Sequence, residues 1–133
     1  MKGFIADIEE LCEGNSNFRQ VLYTGQNLQL VIMTLKPGEE IGEVVHEYRD
    51  LFFRVEKGIG EAWIDGKRSI VEQDEAILVP AGTRHNLVNT GARPLRLCIV
   101  YGPPEHREGT IHRTKADADR QDEHFNGQTS EAE

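Results

Sequence analysis

From Asn17 to Tyr101 the chain is cut into short apolar runs, most of them closed by glycine or Pro-Gly. NFRQVLYTG, NLQLVIMTLKPG, LFFRVEKG, IGEAWIDG, RSIVEQD, EAILVPAG, RHNLVNTG and RPLRLCIVYGPP follow one another at intervals of 8 to 12 residues. A chain broken this often leaves no room for long amphipathic helices, and evenly spaced short strands with glycine-rich turns build an all-β sandwich or barrel. Within IDGK, Asp65-Gly66 suits the positive φ of a two-residue hairpin turn. No repeat of fixed period is present.

The flanks read differently. Residues 1–15 carry Phe4, Ile5, Ile8, Leu11 and Cys12 at helical spacing and end at Gly14, which predicts a short helix packed on the body. Residues 16–103 are the expected barrel, and Pro103-Pro104 stops its last strand. Residues 104–133 form a polar tail. With little apolar surface to offset its ordering entropy, it is expected to be partly disordered, with a short helix from Thr114 as the alternative. A tail lying across the barrel mouth or a partner subunit also fits. His106, His112 and His124 match no standard zinc spacing, so no second metal site is expected there.

Charge and cysteine content narrow the function. The net charge is −8, from 15 Lys+Arg against 23 Asp+Glu. Nucleic acid and anionic membrane both call for a basic face, so neither is an expected partner. No apolar run approaches the ~20 residues of a membrane span, and MKGFIADIEEL is too acidic for the core of a secretory signal. Cys12 and Cys98 stand far apart in apolar contexts, which suits buried free thiols and a reducing cytoplasm.

Two segments carry the chemistry. In DEAILVPAGTRHNLVN, Asp74, Pro80, Gly82, His85 and Asn89 are spaced like the second motif of the cupin superfamily, with Asp74 in place of that motif's first glycine. In PGEEIGEVVHEYRDLFFRVEKGIGEAWIDG, His46 and Gly58 fall where the first motif has its second histidine and closing glycine. The chain therefore resembles a small single-domain bacterial cupin of the mannose-6-phosphate-isomerase-like kind. The resemblance covers about residues 30 to 101. It implies a jelly-roll β-barrel, a divalent metal (Zn, Fe, Mn, Ni or Cu) held in part by His46 and His85, a small-molecule ligand, and a homodimer. If the chain is an enzyme, it implies an isomerase or a dioxygenase.

Here the sequence departs from the motif. Val44 stands at the first histidine position and Leu51 at the carboxylate position. Glu39, Glu43, Glu47 and Tyr48 are nearby substitutes, but Glu43 and Glu47 have the wrong strand parity relative to His46. The same departures predict an apolar lining of Val44, Leu51, Phe53 and Leu87 around two histidines. Desolvation there favours neutral imidazole, which can serve as a general base. Three readings stay open: a metal-assisted pocket, a metal-free pocket in which His46 or His85 abstracts a proton from a carbon acid, and a non-enzymatic ligand-binding or sensing domain. Asn89, Pro80 and Gly82 are expected to be structural. Trp63 and Tyr101 are expected in packing or an interface, and Arg54 outside the barrel.

Overall fold

A computed structural model describes residues 2–131. Met1, Ala132 and Glu133, at the ends of the expected helical segment and tail, lie outside the described residues. The elements in order are α1 (Ile8–Glu13), β1 (Arg19–Thr24), β2 (Gln29–Leu35), β3 (Asp50–Lys57), β4 (Ile59–Ile64), β5 (Lys67–Glu72), β6 (Ala76–Val79), β7 (His85–Val88), β8 (Leu95–Gly102), β9 (Ile111–His112) and α2 (Lys115–Arg120). Two antiparallel sheets, ordered β6-β3-β8-β2-β1-β9 and β5-β4-β7, face each other as a jelly roll.

Alternation fixes which side chains enter the barrel. On β8, Leu95, Leu97, Ile99 and Tyr101 are buried while their neighbours lie nearer the surface. Leu51, Phe53 and Val55 on β3, Val31, Met33 and Leu35 on β2, and Leu87 on β7 pack in the same core. A slip of one residue would turn each such set outward, so the buried face locks the register.

Turn chemistry follows the sequence. Asp65 (φ 51°) and Gly66 (φ 79°) make the tight β4–β5 hairpin, closed by the Ile64–Lys67 pair. Asp74, in the place of the family glycine, adopts φ 71°, a left-handed conformation that aspartate tolerates better than most residues. At Gly60 a Cβ would lie 2.6 Å from the Val88 carbonyl oxygen, so only glycine lets β4 approach β7 this closely.

Both flanks differ from expectation. The N-terminal helix is only Ile8–Glu13, because the Asp7 side chain accepts from Glu10 N–H and starts the helix there. Phe4 instead packs on Tyr23, and Ile5 is fully exposed. At the other end, the segment expected to be partly disordered is bound to the barrel. Its β9 pairs with β1, Thr114 caps α2, Phe125 N–H donates to Glu105 O, and Ser130 N–H donates to Thr24 O. Polar contacts hold it: Gln29 is 1% exposed, accepts from Glu105 and His106 N–H, and donates to His106 O. Among the described residues no helix is long and apolar enough to cross a membrane.

Candidate functional site

The two motif segments meet at the barrel mouth. Residues 43–48 are not a regular strand, yet Val44 and His85 exchange both backbone hydrogen bonds at 3.0 Å. Gly82 N–H donates to His46 O at 2.8 Å. These bonds hold the two histidine rings 5.7 Å apart, centroid to centroid.

His46, His85, Val44, Leu51 and Phe53 all line one cavity of about 280 Å³. Leu87 does not. It is 0% exposed and lies one step deeper on β7, among core side chains. Several polar members of the wall were not evident in the sequence. Arg19 comes from β1, Tyr101 from β8, His106 from the segment after β8, and Lys115 from α2. Asp119 of α2 lies beside Lys115, so the C-terminal segment closes one side of the mouth.

The candidate substitutes are placed elsewhere. Glu43 lies at the cavity rim and pairs with Arg84 at 3.0 Å. Glu39 accepts from Lys36 N–H, Glu47 is exposed, and Tyr48 is 83% exposed. Asn89 is structural: its amide donates to Leu35 O and Arg93 O, and its oxygen accepts from Gly91 N–H. Arg54 lies outside, paired with Glu56 and Asp74.

The rings differ in their surroundings. His85 Nδ1 lies 2.9 Å from Thr83 O. A carbonyl only accepts, so Nδ1 carries the hydrogen and Nε2 is the nitrogen left for the cavity. Burial lowers the His46 pKa to about 4, helped by His85, His106, Arg49 and Arg19. His46 is therefore neutral at pH 7. Glu105 Oε2 stands 3.6 Å from His46 Nδ1, and burial pushes that carboxyl upward.

Does this set fit the divalent metal that the resemblance implies? Among the described residues, no three His, Cys, Asp or Glu side chains converge as metal donors. A protein site for zinc uses three or four ligands. Val44 and Leu51 place hydrocarbon where two of them would stand. The donor set does not fit a resident metal, and no step is derived through one.

Residues 31–101 match the family model described as a cupin domain. The uncharacterized protein YrkC of Bacillus subtilis (strain 168) is 42% identical over 124 residues, covering 88% of this chain and 66% of that protein. The chain thus spans just under two thirds of that relative's length. Mannose-1-phosphate guanylyltransferase of Escherichia coli (strain K12) is 34% identical over 76 residues, which is 57% of this chain and 16% of that enzyme. The crystal structure of BH2720 from Bacillus halodurans superposes with a TM-score of 0.89 at 42% identity, over 90% of this chain and 96% of that one.

Proposed function

The chain belongs to the cupin family, and on that premise we propose that its barrel binds a small molecule at the His46–His85 cavity without a resident metal. The observation that carries this is the pair of rings 5.7 Å apart in the wall of one cavity of about 280 Å³. That volume suits a compact ligand. Leu51 and Phe53 supply apolar contact, and the imidazole nitrogens accept hydrogen bonds from it.

Magnitude separates binding from catalysis. A group with a pKa of about 4 is a weak base at pH 7, since proton abstraction works best when the two values are close. His46 is thus better suited to accept a hydrogen bond than to take a proton from carbon. Ligand binding or sensing is the favoured reading over a proton-transfer enzyme with His46 as its base.

The test is a fragment screen by NMR in EDTA, following the His46 and His85 ring signals. Fragments should shift both rings, and His85→Gln should abolish their binding while the chain stays folded. Hits that map elsewhere, or that need added metal, reject the reading.

The homodimer has its own support. Leu78, Phe52, Val100 and Leu30 are successive register partners across β6, β3, β8 and β2. Leu78 and Phe52 are exposed on the outer face of the larger sheet, an apolar row that a second copy would cover. Sedimentation of Phe52→Glu tests it: a dimer converted to monomer supports the row as the interface.

A further inference from the structure

Arg19 brings a positive charge to the cavity wall, and neither motif contains it. Its guanidinium is held by uncharged groups. Nη1 donates to His112 Nδ1 at 3.1 Å, and Cζ lies 5.3 Å from the centre of the Phe18 ring. The guanidinium also donates to the Tyr101 hydroxyl. Arg19 Nε is buried and has no hydrogen-bond partner among the described residues.

Tyr101 is engaged on both sides. His106 Nε2 lies 3.3 Å from its hydroxyl, and His106 Nδ1 lies 2.6 Å from Glu123 Oε1. Burial lowers the His106 pKa, so the ring is neutral. A carboxylate only accepts, so the ring hydrogen is on Nδ1, and Nε2 accepts from Tyr101. Glu123 therefore reaches Arg19 through two uncharged rings rather than as a counter-ion.

The other carboxylates around the mouth have cations of their own. Glu43 pairs with Arg84 at 3.0 Å, Asp119 with Lys115 at 3.4 Å, and Glu105 with Arg49 at 4.0 Å. Among the described residues these pairs leave Arg19 without an ion-pair partner. Its charge is felt across the cavity, where it helps to hold the His46 ring neutral. A partly desolvated guanidinium without a counter-ion favours an anion, and its planar fork matches a carboxylate.

We propose that Arg19 anchors a carboxylate subsite, so that the cavity takes a small organic acid with its carboxylate on the guanidinium and its hydrocarbon against Leu51 and Phe53. One uncompensated cation matches one negative charge. A phosphate dianion would call for a second free cation, and Lys115 is already paired with Asp119. A hydroxyl next to the carboxylate would donate to His85 Nε2, whose other ring nitrogen is bound to Thr83 O. Small 2-hydroxy acids are therefore the probes of choice. This inference rests on the cavity being a ligand site, as proposed above.

The experiment titrates the full chain in EDTA and follows the His46 and His85 ring signals by NMR. Lactate and mandelate are compared with lactamide and mandelamide, which keep the shape and the hydroxyl but lose the charge. Wild type should prefer the acids at least about tenfold, the size of one charge-assisted hydrogen bond. Arg19→Met should abolish the preference, and Arg19→Lys should keep part of it. Equal binding of acid and amide by wild type overturns the proposal, and that comparison needs no variant to fold. A preference that survives in folded Arg19→Met overturns Arg19 as the anchor. Inorganic phosphate is added as a competitor: if it displaces mandelate at lower concentration than lactate does, the subsite is not one for carboxylates. If neutral fragments shift the two rings and no acid does, this inference fails while the cavity stands as a ligand site. If nothing shifts them, both fail.

Discussion

The barrel and the segment after Pro103 are held by opposite means. Inside the barrel most of the buried side chains are apolar, placed by strand alternation. In the C-terminal segment they are Glu105, His106 and His112, placed by hydrogen bonds to Gln29, Glu123 and Arg19. Apolar burial is non-directional and tolerates small shifts. A polar docking surface depends on each partner, because an unmatched buried donor or acceptor carries its full desolvation cost. The contrast predicts that damage to the barrel spreads, whereas damage to the docking contacts stays local.

The largest effect should come from the core. Phe53→Ala removes a fully buried ring and should cost about 3–5 kcal/mol, read by urea unfolding of the whole chain. Gln29→Ala should cost less, about 1–3 kcal/mol, as Glu105 N–H, His106 N–H and His106 O lose their partner. Its signature is local: proteolysis should cut within residues 104–131 while the barrel resists. If both variants unfold the molecule alike, the distinction between the two regions is wrong.

Acidity offers a milder way to sharpen the comparison. The folded-state pKa values of His46, His106 and His112 are all lowered, with burial the main cause. The unfolded chain therefore takes up protons first as pH falls below about 6.5. The histidine contribution to stability should be flat above that point and decline as pH drops toward about 4, the value for folded His46. Denaturant midpoints at pH 7.5 and pH 5 check the sign, and a midpoint higher at pH 5 contradicts it. The smallest effect belongs to the exposed Arg84–Glu43 pair: Arg84→Ala should change stability by no more than about 0.5 kcal/mol.

The same contrast explains what the sequence revealed. Runs such as RPLRLCIVYG announce their strands because burial on one face imposes a period of two. His46 and His85 were legible because their spacings tie them to turns that the structure keeps. The helix limit at Asp7 was not, since Phe4 and Ile5 continue an apolar spacing that a side-chain cap interrupts. Leu87 was assigned to the cavity on strand parity alone, which gives the face but not the depth. Composition marked the tail as unable to bury much hydrocarbon, and it does not. Its order comes from long-range polar partners: Gln29 precedes His106 by 77 residues, and no local pattern announces that pairing.

In the proposed pocket His46 and His85 serve a ligand as hydrogen-bond acceptors rather than holding a metal. Anomalous diffraction from crystals soaked in zinc tests it most directly. No ordered ion is expected between the two rings. A peak at about 2.0–2.1 Å from a nitrogen of both His46 and His85 would contradict it.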